Sequence, residues 1–275
     1  LLTNTGNPRD FLGIDLVPKP GLPTILLPTT SGTGAEATPN AIFSIPEDQV
    51  KLAIVSTHLI PEVAIVDPEL TITAPPKVTS AAGVDALTHC LETYVAKNAT
   101  ILSEVYSIEG MKLISRSLRK VCEDGSDIKA RSDMALGSYY GGVALAGAGA
   151  GAIHALAYPL GSRFHIPHGI SNSLMFSHVI KVNYSSEIKK FAKIANILDE
   201  NTLSFDEEKA AESTVGAVKK LCEDCGVPTR LSEVDIPAHA IPELAESAFK
   251  LERLLNCNPK QLTLEDIEKI YQSAT

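Results

Sequence analysis

The sequence carries its most informative pattern in one segment, Ala82-Gly83-Val84-Asp85-Ala86-Leu87-Thr88-His89-Cys90-Leu91-Glu92. The carboxyl group of Asp85 precedes the imidazole of His89 by four residues. On an α-helix, residues four apart share one face with Cβ atoms about 5–6 Å apart, so both side chains can reach a single metal ion. Such a pair alone is more often a coincidence on a helix surface, so it does not establish a metal site.

Two further histidines complete a candidate ligand set. His154 lies within Ile153–Tyr158, and His168 follows Ile166-Pro167, where we predict a loop. One carboxylate and three imidazoles suit Fe²⁺ or Zn²⁺, and the absence of thiolates argues against a purely structural zinc site. Taken alone, His154 could equally be a hydrogen-bonded core histidine. The other histidines have no comparable acidic partner in helical register and are predicted to be structural: His58, His165, His178 and His239.

The segments on the two sides of this pattern have different periodicities. Short apolar runs bounded by turn residues predict buried strands at Ile25–Leu27, Leu52–Val55 and Val63–Val66. Beyond Pro75-Pro76, apolar residues recur at helical spacing. One stripe comprises Val105, Ile108, Met111, Ile114, Leu118 and Val121. A second helix is predicted over 210–222, ending at Gly226 and Pro228, and a third after a capping box at Thr263 and Asp266. The pattern therefore predicts a short α/β segment followed by an almost entirely helical domain.

Composition excludes several classes of protein. The 275 residues have a net charge of −9, and without a long basic run they are not suited to nucleic acid as the main partner. No run of 18 apolar residues predicts a membrane span, and no signal-peptide pattern is present. Five irregularly spaced cysteines favour free thiols in a reducing compartment, so we expect a cytoplasmic location.

A glycine-rich run could be mistaken for a cofactor-binding motif. Gly147-Ala148-Gly149-Ala150-Gly151 resembles a dinucleotide-binding fingerprint, but it lacks a preceding strand. Because it comes directly before the predicted helix of His154, close helix packing is the better explanation.

Several ordered motifs resemble the iron-containing (group III) alcohol dehydrogenase family. The segment 82–92 is similar to its first signature, and Gly151–Gly161 running into Ile166–Gly169 is similar to its second. Pro28–Glu36 resembles its cofactor loop, and Asn258-Pro259 with Leu262–Ile267 resembles its closing segment. The similarity extends from about residue 15 to residue 275, and its motifs agree in order.

This resemblance implies an architecture and a chemistry. The expected fold is an α/β remnant of a Rossmann-like nucleotide-binding domain, residues 1–74, followed by an all-helical, metal-binding catalytic domain, residues 75–275, as in dehydroquinate synthase-like proteins. The expected reaction is hydride transfer between NAD or NADP and a small alcohol, aldehyde or ketone. A divalent metal, Fe²⁺ or possibly Zn²⁺, polarises the reacting oxygen. We expect no nucleic-acid or membrane partner, and a homo-oligomer, in particular a dimer.

The resemblance also assigns roles to individual residues. The metal ligands are Asp85, His89, His154 and His168. The cofactor contacts are Thr29, Thr30, Ser31, Gly32, Thr33, Thr38 and Lys51. Without the resemblance, Thr29–Gly34 would be an ordinary polar turn after a strand and Lys51 a solvated charge at a strand edge.

Two departures from the family pattern affect the expected activity. Many members have a histidine, often proposed as a proton relay, where this chain has Tyr158; a phenol with a reference pKa near 10 is a poorer neutral-pH shuttle, so its role as relay or substrate contact is a hypothesis. The family also has a further N-terminal stretch with a Gly-Gly-Gly-Ser pyrophosphate loop, whereas this chain begins at Leu1. We therefore expect weak phosphate binding and little dehydrogenase activity from these residues alone.

Two alternatives remain open at this point. The chain could be an inactive, metal-binding remnant that serves in assembly. It could also be a metallohydrolase that uses metal-bound water, although such an enzyme would have no use for the loop Thr29–Gly34.

Overall fold

The computed structural model describes residues 3–45, 47–48 and 50–275. Leu1, Leu2, Pro46 and Gln49, which belong to the predicted α/β segment, lie outside the described residues. The strands are β1 (Gly13–Ile14), β2 (Ile25–Leu26), β3 (Asn40–Ile45), β4 (Val50–Val55) and β5 (Val63–Ala64). They form a sheet of order β1-β4-β3 and a separate pair β2-β5.

The larger sheet is built around an antiparallel pair. Strands β3 and β4 pair in register from Asn40 opposite Val55 to Ile45 opposite Val50. Strand β1 adds to the other edge of β4 in parallel orientation. The arrangement places Lys51 in a central strand.

The prediction of buried strands was wrong for the smaller sheet and only partly right for β4, where Ile54 is buried but Leu52 is 39% exposed. The two strands of the smaller sheet pair in parallel through Ile25 with Val63 and Leu26 with Ala64. However, Ile25 is 60% exposed and Val63 is 44% exposed. The apolar run thus predicted the strands correctly but not their burial, because burial depends on a covering element, and the described part of the chain supplies none.

The rest of the chain is helical, as the periodicity predicts. The helices are α1 (Pro76–Val95), α2 (Ile101–Glu123), α3 (Ile128–Ala148), α4 (Ala152–Phe164), α5 (His168–Asn183), α6 (Ile188–Leu198), α7 (Glu207–Asp224), α8 (Ile241–Phe249), α9 (Glu252–Leu255) and α10 (Leu264–Ser273). The division into domains at residue 74 stays a prediction, although the first long helix begins at Pro76.

Helix α1 is the central element of the helical region. Every residue from Gly83 to Val95 is buried, and α2, α3 and α5 pack around it. Its apolar residues Val84, Leu87 and Leu91 are almost fully buried. Because a helix buried on all sides has no solvent-facing stripe, polar residues on α1 must find partners inside the protein.

Helix α2 follows the predicted stripe over most of its length. Met111, Ile114 and Leu118 are fully buried, but Val105 is 53% exposed, so its predicted burial was wrong. Ile101 and Leu102, at the start of the same helix, are exposed too, so the apolar stripe is buried only beyond the first turns of α2.

The predicted helix ends are present. The Thr263 side chain accepts a hydrogen bond from the Asp266 N–H at 3.1 Å, and Asp266 accepts one from the Thr263 N–H at 3.0 Å, which completes the capping box of α10. Helix α7 ends before Gly226, which has a φ of 67°. This left-handed conformation favours glycine.

Within the described residues, no single helix is long and apolar enough to cross a membrane. Helices α3 and α4 reach that length and composition only when taken together, and they meet at an angle of 106°.

The loop after β2 is fixed to α3 by a close approach of two backbones. A Cβ atom at Gly142 would lie 2.2 Å from the Gly34 carbonyl oxygen, and one at Gly34 would lie 2.5 Å from the Ser138 carbonyl oxygen. The Ser138 hydroxyl also donates to the Gly32 carbonyl at 3.1 Å. Glycine at these positions therefore sets how closely the loop approaches the helical region.

We expect Gly142→Ala to destabilise the protein by about 1–3 kcal/mol, because the new methyl group forces two backbones apart. Gly216 is a matched control: it also lies inside a helix, α7, but a Cβ there meets nothing within 4 Å. Gly216→Ala should stabilise the protein by up to about 1 kcal/mol. Denaturant unfolding of both variants measures the two changes, and equal effects would contradict the packing argument.

Candidate metal centre

Helix α1 supplies two of the predicted ligands. Asp85 and His89 lie one turn apart, each only 3% exposed, with Asp85 Oδ1 3.6 Å from His89 Nδ1. Burying a carboxylate this deeply costs roughly several kcal/mol unless positive charge or hydrogen bonds replace its hydration. The compensation has to come from neighbouring helices.

Those helices bring the other two histidines. His154 lies in the first turn of α4, and His168 is the first residue of α5. The prediction of a loop at His168 was therefore wrong: Pro167 is the N-cap, and the helix starts directly after it, at His168. A proline is tolerated at the start of a helix, where no backbone N–H is needed, so Ile166-Pro167 is compatible with a helix that begins at His168.

A second glycine contact positions α5. A Cβ at Gly169 would lie 2.0 Å from the Ala81 carbonyl oxygen, so α5 starts in direct backbone contact with α1. Since Ala81 is one turn before Asp85, this contact brings His168 over the same face of α1.

Three imidazole nitrogens surround one oxygen atom. Asp85 Oδ1 lies 3.6 Å from His89 Nδ1, 3.6 Å from His154 Nε2 and 3.5 Å from His168 Nε2. Ligands placed about 2.0–2.2 Å from one tetrahedral ion are about 3.3–3.6 Å apart. Asp85, His89 and His154 each offer a ligand atom within 4.8 Å of the others, so these three side chains fit a divalent cation by donor type and separation. His168 lies outside this group of three, although its Nε2 is 3.5 Å from Asp85 Oδ1.

Hydrogen bonding around the cluster is incomplete without such a cation. The Nδ1 atoms of His89 and His168 are buried and have no hydrogen-bond partner among the described residues. Asn172 donates from Nδ2 to Asp85 Oδ1 at 2.6 Å. Buried polar atoms are seldom left unpaired, so the unpartnered imidazole of His89 indicates a missing electron-pair acceptor.

The pKa values in the cluster reflect burial and mutual charge. Burial alone would raise the pKa of Asp85, but the surrounding imidazoles hold it well below its ordinary range. Burial lowers the pKa of His89 and of His168 to about 4, with Asp85 opposing the shift in both. Both imidazoles are therefore neutral at pH 7 with electron pairs available for a cation. Burial would also lower the pKa of His154, but Glu92 and Asp85 outweigh it and raise the value to about 9.

One side of the cluster is open. The His168 side chain is 27% exposed, whereas those of His89 and Asp85 are 4% exposed. It faces a cavity of about 450 Å³ that is also lined by Thr33, Thr38, Lys51 and Tyr158. A bound cation would therefore be enclosed by protein on one side and accessible to a small molecule on the other.

The predicted cofactor residues divide into two groups. Thr33, Thr38 and Lys51 line the cavity. Thr30 and Ser31 instead line a separate pocket of about 10 Å³. The remaining two border neither space: Gly32, which is held by Ser138, and the exposed Thr29.

Lys51 is oriented toward the cavity. Its Nζ lies 5.8 Å from the centre of the Tyr158 ring, and burial lowers its pKa while Asp85 opposes that shift. The sequence alone left open whether this lysine is a solvated charge at a strand edge, and the structure places it beside Tyr158.

Three residues near the centre were missed by sequence reasoning. Glu92 contacts His154, Asn172 contacts Asp85, and Arg253 lines the cavity. Of the three, only Glu92 could have been identified from the sequence, since it follows His89 by three residues and so lies on the same face of a helix.

The histidines predicted to be structural have other surroundings. His178, for example, contacts the Ser273 hydroxyl and the Thr229 carbonyl, and His165 ends α4 with a φ of 55°.

The glycine-rich run also has a packing role. A Cβ at Gly149 would lie 2.8 Å from Cys257 Sγ, and one at Gly151 would lie 3.1 Å from Glu92 Oε1. Close packing thus accounts for Gly149 and Gly151, but Gly149 and Ala150 also line the cavity beside the cluster, so the assignment of the whole run to helix packing stays a prediction.

Comparison with known proteins gives consistent matches over the chain. Residues 79–275 match the model of the Fe-containing alcohol dehydrogenase family, C-terminal, and residues 1–68 match that of iron-containing alcohol dehydrogenase. Long-chain-alcohol dehydrogenase 1 of Geobacillus thermodenitrificans is 42% identical, over 100% of this chain and 70% of the relative.

Two further matches agree with these. NAD-dependent methanol dehydrogenase of Bacillus methanolicus is 36% identical, over 98% of this chain and 71% of the relative. The crystal structure of a 1,3-propanediol oxidoreductase superposes with a TM-score of 0.96 at 34% identity, covering 100% of this chain and 72% of that one.

We expect Gly169→Ala to displace His168 from the cluster, because the added methyl group would collide with the carbonyl of Ala81. Affinity for Zn²⁺, measured by competition with a chromogenic chelator, should fall by about 10- to 100-fold, the range found when a supporting contact is lost. Gly216→Ala is again the control and should bind as the parent protein does. Unchanged affinity in Gly169→Ala would show that His168 does not depend on this contact.

Proposed function

The chain belongs to the iron-containing alcohol dehydrogenase family, and on this premise we propose that Asp85, His89, His154 and His168 hold the metal at which it acts. As a member of this family it is a metal-dependent oxidoreductase that transfers a hydride between a nicotinamide cofactor and a small alcohol, aldehyde or ketone. The observation that carries the proposal is the placement of three imidazole nitrogens 3.5–3.6 Å from Asp85 Oδ1, beside an open cavity.

The ligand set suits either Fe²⁺ or Zn²⁺. When bound, the cation supplies Lewis-acid polarisation of the alcohol or carbonyl oxygen, and the nicotinamide accepts or donates the hydride. The chain supplies a rigid frame for both, because two of the four ligands come from the fully buried helix α1. The exposure of His168 leaves the cavity side for substrate.

We assign the cofactor to the same cavity. Thr33 and Thr38 offer hydroxyl groups there, and Lys51 offers a cation, which suits the ribose end of either NAD or NADP. Thr29, Thr30, Ser31 and Gly32 lie earlier on the same loop and would contact a more distant part of the cofactor.

We assign Tyr158 to the substrate oxygen. Burial raises its pKa to about 12, although Arg253 opposes the shift, so the phenol is neutral at pH 7 and can donate a hydrogen bond. Its ring centre lies 5.7 Å from that of His168 and 6.4 Å from that of His154. These distances, and the position of Tyr158 in the lining of the cavity, support a contact with substrate.

The two alternatives receive less support. Both matching family models are of iron-containing alcohol dehydrogenases, and nothing in them favours an inactive remnant. A metallohydrolase would leave unexplained why the loop residues Thr33 and Thr38 share the metal cavity. The expectations of low activity for these 275 residues, of a dimer and of a cytoplasmic location stay predictions.

The first test removes the metal. The NADH-dependent aldehyde reduction of the protein, which we expect to be weak, should be lost on treatment with a chelator and return with Fe²⁺ or Zn²⁺. Asp85→Asn should weaken metal binding by more than the roughly 10- to 100-fold that loss of an outer-shell partner costs. Asp235→Asn is the control, because Asp235 is exposed in a left-handed conformation that asparagine tolerates.

Each outcome separates the candidate functions. Equal metal affinity in Asp85→Asn and the parent protein would refute the assigned centre. Metal binding without any NADH or NADPH binding would identify the remnant, and metal-dependent cleavage of an ester would identify the hydrolase.

The second test concerns Tyr158. Tyr158→Phe should lower kcat/KM by about 2- to 13-fold, corresponding to one neutral hydrogen bond worth roughly 0.5–1.5 kcal/mol, while metal affinity stays unchanged. Tyr139→Phe, on α3 and away from the cavity lining, is the matched control. The assignment fails when the two variants have the same kcat/KM.

A further inference from the structure

Helix α4 begins without a capping side chain of its own. Its N-cap residue is Gly151, which has no side chain to accept hydrogen bonds from the first turn. The first N–H groups of a helix have no partner within the helix and must find one elsewhere when they are buried. Gly151, Ala152 and Ile153 are all buried, so this requirement is strict.

Glu92 of α1 supplies most of the missing acceptors. Its Oε2 accepts from the Gly151 N–H at 2.9 Å, and its Oε1 accepts from the Ile153 N–H at 2.6 Å. The N–H of Ala152 is oriented toward Asn258 Oδ1 at 3.4 Å. The positive end of the α4 dipole further favours a carboxylate at this position.

The same carboxylate contacts the imidazole of His154. Glu92 Oε2 lies 2.6 Å from His154 Nδ1, and Glu92 is only 4% exposed. An ionised carboxylate can only accept hydrogen bonds. His154 Nδ1 must therefore carry a hydrogen. When a cation takes the place of the second proton of the ring, the electron pair that binds it lies on Nε2.

That electron pair is directed at the centre of the cluster. His154 Nε2 lies 3.6 Å from Asp85 Oδ1 and 3.3 Å from Asn172 Nδ2. A carboxylate behind the far nitrogen of a metal-binding histidine fixes the tautomer and the ring orientation and raises the basicity of the ligand.

Helix α1 is suited to this task by its register. Glu92 follows Asp85 by seven residues, which is close to two full turns, so both carboxylates lie on the same face. One rigid helix thus carries two ligands and the support of a third.

We propose that Glu92 is a positioning residue of the metal centre, whose carboxylate holds the Nδ1–H of His154 and thereby commits Nε2 to the cation. The inference rests on the proposed metal site but concerns a residue outside the ligand set. The competing explanation is that Glu92 serves only as the cap of α4, in which case its effect on metal binding should equal that of any other cap.

Asn258 provides the matched control for this distinction. It is buried, accepts from α4 at Ala152, and exchanges hydrogen bonds with Asn183 at 2.7 and 2.9 Å, yet it does not contact His154. Asn258→Ala and Glu92→Gln should both lower thermal stability, because each removes an acceptor from the same helix end. Only Glu92→Gln also weakens the acceptor of His154.

The experiment measures Zn²⁺ affinity of the full chain by competition with a chromogenic chelator, together with thermal unfolding without metal. Glu92→Gln should bind Zn²⁺ about 10- to 100-fold more weakly than the parent protein, and Asn258→Ala should bind it equally well. Equal losses in both variants, or none in Glu92→Gln, would overturn the proposal. A parent protein that binds no Zn²⁺ would refute the proposed centre itself, which is a separate outcome.

A second measurement does not depend on folding of the Glu92 variant. Nitrogen-15 NMR of the Zn²⁺-loaded parent protein reports which ring nitrogen of each histidine carries hydrogen and which binds metal. The His154 signals are assigned by their loss in His154→Gln. We expect hydrogen on Nδ1 and metal on Nε2, and the opposite arrangement would overturn the proposal.

Discussion

The carboxylate of Asp85, buried on all sides within α1 and surrounded by three imidazoles, is the constraint on which the rest of the structure depends. Removing a carboxylate from water costs on the order of several kcal/mol unless positive charge and hydrogen bonds replace its hydration. The neighbouring helices provide this replacement, because α4 and α5 both present histidine side chains at their first turns. A divalent cation among them would complete the compensation.

The precision of this arrangement comes from polar contacts and from glycine, not from the apolar core alone. Burial of leucine and methionine side chains favours a helical bundle but tolerates small shifts of one helix along another. The backbone contact of Gly169 with Ala81 permits little such shift, and neither do the hydrogen bonds of Glu92 to the start of α4. Both contacts lie within one turn of a predicted metal ligand. The same chain segments that hold the helices together thus determine the shape of the cluster.

Similar reasoning explains why the loop after β2 belongs to the site. Gly34 and Gly142 let the loop approach α3 closely, and Ser138 holds the carbonyl of Gly32. With the loop fixed, Thr33 and Thr38 border the same cavity as His168 and Lys51. The proposed cofactor and the proposed metal therefore meet because of a packing contact that contains no catalytic group.

The sequence by itself determined the family, the fold class, about half of the helices and the four candidate ligands. These follow from local information: helical spacing for α2 and α10, the pair Asp85 and His89 one turn apart, and ordered motifs. The exposure of β2 and of Val105 and the helical position of His168 were decided only by the tertiary structure. Each depends on which distant element covers a residue, and periodicity along the chain contains no such information. The contact between Glu92 and His154 joins residues 62 positions apart, so it too exists only once α1 and α4 have packed.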